Sequence, residues 1–175
     1  MSPARANETI EEDAMKHEGW LQDAEATERM GQALARTRPP QALLALQGDL
    51  GAGKSTLARA LLRALGVQGA IRSPTYTLIE RYPLDTGEAW HLDLYRIGHA
   101  AELDFLGLDE GDVRLWLVEW PERGAGALPP TDLRVALAVE GQGRRFALEA
   151  TSPTGREWLA RLGEADQLGA VPVGG

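Results

Sequence analysis

Cysteine is absent from this chain of 175 residues, which excludes disulfides, thiolate zinc sites and a cysteine nucleophile. Histidine occurs three times, at His17, His91 and His99, without the spacing of a metal site. No apolar run approaches the roughly 20 residues that a membrane-spanning helix needs, so no membrane partner is expected. The acidic stretch 1–20 holds no apolar core segment, unlike a secretory signal or a transit peptide; the expected location is the cytoplasm. Basic side chains are outnumbered, 18 against 26 acidic ones, for a net charge of −8 and a pI near 4.9. Such a chain repels a phosphate backbone overall, a local basic patch aside, so no DNA partner is expected. Lysine is nearly missing: Lys16 and Lys54 are the two lysines among those 18 basic residues.

What is present centres on one stretch. Gly48-Asp49-Leu50-Gly51-Ala52-Gly53-Lys54-Ser55-Thr56 fits the phosphate-loop pattern GxxxxGKS/T. An apolar run at 42–46 precedes it and reads as a buried strand. Leu57, Leu61 and Leu65 follow at the spacing of one helix face, with Gly66 placed to cap the helix C-terminus. Strand, glycine loop and helix form the context that the motif requires. Glycines let the backbone curl so that successive N–H groups face an anion, and the helix adds the positive end of its dipole. Lys54 supplies a compact charge for the outer phosphates, which the planar fork of arginine does not replace. The Ser55 hydroxyl suits a magnesium ion bridging those phosphates.

The rest of the chain reads as one domain over 20–162, between an unstructured acidic lead (1–19) and a loose tail (163–175). Hydrophobic content of 43% and charged content of 25% are ordinary for a globular protein. A helix is expected over 23–37, with Met30, Ala33 and Leu34 toward the core. Strands at 76–82 and 89–95 form an antiparallel hairpin. In the second, Trp90, Leu92 and Leu94 share one face and His91, Asp93 and Tyr95 the other, polar one. A short helix follows at 100–106, then a buried strand at 115–118 ending in Glu119. A loop spans 121–130. Strands at 133–139 and 146–150 flank a glycine turn, and a helix at 154–162 closes the chain.

A phosphate-loop enzyme needs a carboxylate across the metal, usually at the end of a buried strand. Glu119 closes the most apolar run after the phosphate-loop strand, and Asp93 is the second candidate. Thr75, in a loop soon after the phosphate-loop helix, is of a type that reaches the metal or the γ-phosphate in nucleotide switches. Trp120 reads equally as a lid over the site or as core. Arg144 and Arg145 flank a hairpin turn, where arginine is ordinarily solvated.

Taken in order, GDLGAGKST at 48–56, SPTYTLIERY at 73–82, HLDLYR at 91–96, ELDFLGLDE at 102–110 and VEWPE at 118–122 resemble the TsaE (YjeE) family of bacterial ATPases in tRNA threonylcarbamoyladenosine synthesis. The resemblance spans about 23–162. It implies an α/β, three-layer P-loop NTPase fold with a mixed, largely parallel central sheet. It implies ATP on residues 48–56, Mg2+ held by Ser55 and Glu119, and Asp93 at the metal site. It also implies nucleotide contacts from the chain near Ala24 and from Glu122 and Arg144. Ser55 stands where threonine is common, and either hydroxyl suits the ion. The implied partners are TsaD and TsaB, with tRNA reached through them and slow hydrolysis without them. The rival readings are a small-molecule or nucleotide kinase, and a nucleotide sensor without turnover. Against the kinase, residues 96–112 carry Arg96 as their one basic side chain besides His99, which is poor material for an arginine-rich lid.

Overall fold

The computed structural model describes residues 15–167. In chain order these form β1 (Lys16–Leu21), α1 (Ala24–Thr37), β2 (Ala42–Gln47), α2 (Lys54–Ala64), β3 (Ile79–Pro83), β4 (Glu88–Asp93), β5 (Val113–Glu119), β6 (Leu133–Glu140), β7 (Gly143–Ala150) and α3 (Pro153–Gln167), with 3₁₀ turns at Ala100–Leu106 and Pro121–Gly124. One mixed sheet takes the order β1-β7-β6-β2-β5-β4-β3. The four central strands β6, β2, β5 and β4 run parallel. Antiparallel partners close both flanks: β3 on β4, and β7 and β1 beyond β6.

β2 is buried along almost its whole length, as an apolar run between two parallel neighbours should be. One face of the sheet carries α1, α2 and α3 over a core that includes Leu34, Leu44, Leu61, Leu117 and Trp158. The other face is covered by the 3₁₀ turns and adjoining loops, over Leu43, Trp90, Trp116 and Val118. The helices are punctuated by local chemistry. Asp23 caps α1, its carboxylate accepting the Ala26 N–H at 2.8 Å. After α2, Gly66 adopts φ +94, and its N–H and that of Val67 return to Arg63 and Leu62 carbonyls. That is the Schellman arrangement, for which glycine is the natural residue.

Several expected boundaries shift. Residues 16–19, assigned to an unstructured lead, belong to β1, which pairs with β7 from Lys16↔Glu149 to Leu21↔Arg144. They carry little apolar signal because the strand lies at the sheet edge, with Lys16, Glu18 and Trp20 exposed. Residues 1–14 and 168–175 lie outside the described residues. The closing helix runs to Gln167, five residues past its expected end. The hairpin strand expected at 76–82 starts at Ile79. Residues 74–78 turn instead, with the Leu78 N–H on the Pro74 carbonyl at 2.9 Å and Leu78 at φ 67. β4 ends at Asp93 rather than at 95. Its face with His91 and Asp93 is not solvated: the two residues are 3% and 8% exposed, because α2 and the chain after it lie across that face. The loop expected at 121–130 begins with one 3₁₀ turn. Arg144 and Arg145 lie in β7, just past the turn at 141–142.

Candidate functional site

The phosphate loop leaves the C-terminal end of β2 and enters α2 at Gly53, whose φ is +108. A side chain there would be strained. Gly48, at φ +145, answers a second demand: a Cβ on it would lie 2.4 Å from the Leu137 carbonyl oxygen. The loop thus sits directly on β6, and no larger residue fits beneath it. Leu50 is fully exposed at the tip. The Ala52 N–H closes the turn on the Asp49 carbonyl at 3.0 Å. Lys54 folds back across the loop, its Nζ donating to the Gly48 carbonyl and, at 3.5 Å, to that of Asp49. Ser55 and Thr56 follow in the first turn of α2.

The carboxylates arrive on neighbouring strands. Asp93 and Glu119 are register partners at the C-terminal ends of β4 and β5, beside the end of β2 that feeds the loop. Both are more than nine-tenths buried. Burial pushes the Glu119 carboxyl up to about 7; the Asp93 charge and a hydrogen bond with Asp93 add to this, and Lys54 opposes it. Asp93 is itself fixed, its Oδ1 accepting the Tyr95 N–H at 3.1 Å, and its own N–H bonds the Leu78 carbonyl at 3.0 Å. Two carboxylates and the Lys54 ammonium therefore act on one another at the loop, with Ser55 next to Lys54 in the chain. Among the described residues no three histidine or carboxylate side chains gather around one point. This donor set fits magnesium, which commonly takes one or two carboxylates and completes its shell with water and substrate phosphates.

The remaining candidates divide. Trp120 and Glu122, with Leu46, Gln47, Gly48, Asp49 and Lys54, line a cavity of about 200 Å³ at the loop. Trp120 is neither core nor a closed lid. It is 38% exposed, takes the left-handed φ of 59, and packs against the Tyr95 ring at 5.3 Å. Strained backbone at a bulky residue is characteristic of functional sites. Ala24 opens α1, and Thr27, one turn on, lies against Gly53, so the first turn of α1 borders the loop. Thr75 Oγ1 shares a 2.8 Å hydrogen bond with Ser73 Oγ, in the segment between α2 and β3.

Arg144 comes from the far hairpin and binds the loop itself. Its Nε donates to Ala52 O at 3.1 Å and Nη2 to Gly51 O at 3.2 Å, while Nη1 holds Gly143 O at 2.8 Å. A trans peptide points its N–H opposite to its C=O. By gripping the Ala52 carbonyl, Arg144 therefore turns the Gly53 N–H to the opposite side. Composition carries no signal for this brace; it spans 92 residues of chain. Sequence reasoning also passed over His91. It is 3% exposed, burial holds its ring down to about 4, and neither ring nitrogen has a hydrogen-bond partner.

The Glu119 environment makes a stability prediction. An unperturbed glutamate titrates near 4.5 and Glu119 near 7. The folded state thus binds this proton more tightly, and the stability gained below pH 4.5 is lost as pH rises through 7. His91 works oppositely, but its contribution is common to both proteins compared. Glu119→Gln, in chelator, is expected to be more stable than the native chain at pH 8, by on the order of 3 kcal/mol at most. The gap should close toward pH 4.5. Thermal melts across that range check it, and an equal or lower melting temperature for the variant at pH 8 would contradict it.

Comparison with known proteins agrees with this geometry. Residues 21–146 match the family model described as threonylcarbamoyl adenosine biosynthesis protein TsaE. The chain is 39% identical over 117 residues to the Haemophilus influenzae tRNA threonylcarbamoyladenosine biosynthesis protein TsaE, covering 66% of this chain and 74% of that one. It is 41% identical over 112 residues to the protein of the same name from Synechocystis, covering 61% and 71%. The crystal structure of YdiB from Bacillus subtilis superposes with a TM-score of 0.72 at 24% identity, over 87% of this chain and 97% of that one. At that identity the superposition speaks for the fold.

Proposed function

This chain belongs to the TsaE family, and on that premise we propose that it is a magnesium-dependent ATPase of the tRNA threonylcarbamoyladenosine machinery. It docks on the TsaB–TsaD complex and resets it between turnovers by hydrolysing ATP, in the cytoplasm. The observation that carries the reading is the pair Asp93 and Glu119, buried side by side at the ends of β4 and β5 next to Lys54. Burying two carboxylates together is unfavourable, and a divalent cation with phosphate oxygens is the partner that offsets it.

In this reading the loop N–H groups, aimed by the brace from Arg144, bind the phosphates. Lys54 exchanges the Gly48 carbonyl for a phosphate oxygen. Ser55, Glu119 and Asp93 would hold the magnesium ion, whose charge would offset that of those oxygens. Ala24, Glu122 and Trp120 border the nucleotide, and Thr75 senses the outer phosphate. The test is turnover of ATP with no phosphoryl acceptor present, alone and with TsaB and TsaD. Slow turnover, raised about tenfold or more by the partners, is expected. A kinase would stay silent until given an acceptor, and a sensor would bind ATP without turnover in either case.

The same reading predicts weak affinity for tRNA in isolation. Arg36, Arg59 and Arg63 do line one groove between α1 and α2, together with Glu28. The Arg63 guanidinium is already committed to the carbonyls of Val67, at 2.9 Å, and Gly69. Affinity for a polyanion needs several basic groups releasing counterions together. Titration at physiological salt should show only the non-specific range of ~10⁻⁴–10⁻⁶ M. Saturable nanomolar binding without partners would overturn the division of labour.

A further inference from the structure

His91 is the polar group of this site that the proposed mechanism leaves unused. It lies on the same face of β4 as Asp93, two residues earlier, and points into a cleft of about 10 Å³. That cleft is walled by Ser55, Ala58 and Arg59 of α2 and by Ile71, Arg72 and Ser73 of the following segment. The room suffices for about one water. A buried imidazole with both nitrogens unpaired costs free energy, and a leucine would fill the same place without that cost.

The surrounding contacts indicate what the ring serves. The segment after α2 is held at both ends. At Arg72 the backbone N–H and carbonyl both bond the Tyr82 hydroxyl, at 3.1 and 3.2 Å. At Leu78 the carbonyl takes the Asp93 N–H. Between these anchors Ser73 faces the cleft and shares its hydrogen bond with Thr75. Ser55 stands on the opposite wall. A serine hydroxyl that gives a lone pair to a metal must place its proton on an acceptor, and a neutral imidazole offers one acceptor and one donor.

We propose that His91 is a positioning residue that couples Ser55 to Thr75. A water held in the cleft accepts from the Ser55 hydroxyl and is shared by His91 and Ser73, so that metal binding at Ser55 orders the 73–75 segment. The inference rests on the reading of Ser55 as a magnesium ligand and deepens it. It makes magnesium, and not the nucleotide alone, the signal that sets Thr75 in place.

The test measures affinity for a non-hydrolysable ATP analogue, adenylyl imidodiphosphate, with Mg2+ and in EDTA. Backbone amide shifts of Ser73 and Thr75 are followed alongside. In the native protein Mg2+ should tighten binding and move both amides. In His91→Phe the affinity in EDTA should stay within about twofold, the gain from Mg2+ should fall about tenfold, the worth of one hydrogen bond, and the two amides should no longer respond. His91→Asn should restore much of the gain. A purely structural histidine would instead change both affinities together, or neither. If His91→Phe does not fold, Ser73→Ala at its exposed position makes the same test from the other wall. Full magnesium gain with native amide shifts, in whichever of the two variants folds, overturns the coupling. A native protein that gains nothing from Mg2+ overturns the Ser55 reading beneath it, and the coupling with it.

Discussion

Lys54→Ala is expected to lower partner-stimulated ATP turnover by at least about 100-fold, the scale of losing one principal charge contact to the transition state. The fold should survive. Lys54 stands at the first position of α2, contributes nothing to the buried core, and bonds loop carbonyls rather than a distant element. Its ammonium is a point charge on a flexible stem, already poised across the loop that would hold the phosphates. Lys54→Arg should also be poor, since the guanidinium keeps the charge but spreads it over a rigid planar fork in place of a compact ammonium. Turnover with TsaB and TsaD present, beside a melting curve, measures both variants. Native turnover in Lys54→Arg would sink the argument from compact charge.

The second large effect is expected at Glu119. Glu119→Gln should reduce hydrolysis by about 10²–10³-fold, while affinity for the nucleotide in EDTA changes by no more than about threefold. Glutamine keeps the volume and the buried position and removes the charge. What is lost first is therefore attraction to the cation and to charge developing in the transition state. The position of the group adds a pH signature. Because the Glu119 carboxyl titrates near 7, a proton and Mg2+ compete for it. Magnesium affinity of the native protein should rise with pH up to about 7 and level off above. In Glu119→Gln that rise should disappear. A variant that keeps both the hydrolysis rate and the pH-dependent affinity would remove Glu119 from the metal site. Together with its higher expected stability in chelator, Glu119→Gln describes a site whose charge serves activity against the fold.

The positions of these two residues, at the start of α2 and the end of β5, were legible in the sequence. Lys54 was legible because its neighbours impose a local geometry. Three glycines, a lysine and a hydroxyl at fixed spacing, between an apolar run and a leucine-faced helix, leave few conformations open. Glu119 was legible because a carboxylate after Leu115-Trp116-Leu117-Val118 has to emerge at the end of a buried strand. Asp93 was legible as a residue type but not as an environment. The alternation of β4 reads as one wet face and one dry face, yet both faces are covered. His91 was misread for the same reason. Periodicity reports how residues alternate along a strand and says nothing about what lies on top of it.

β1 and the brace from Arg144 belong to a second class, since neither has a local cause. Lys16–Leu21 becomes a strand because β7 offers an open edge, and that edge exists only once β6 and β7 have folded beside β2. Arg144 reaches the loop because the β6–β7 hairpin lies against it, with Leu137 directly under Gly48.

By itself, then, the sequence determined the phosphate loop, the buried strands that flank it, the carboxylate at the end of β5 and the family to which the chain belongs. Each of these is written in residues close together, where backbone sterics and hydrophobic spacing act over a few positions. The tertiary structure alone decided that Asp93 stands beside Glu119, that His91 is shut beneath α2 facing Ser55 and Ser73, and that Arg144 aims the loop. Those relations join residues from 18 positions apart, His91 and Ser73, to 93 apart, Arg144 and Gly51. They arise from the order in which strands pair, which no local pattern in the chain encodes.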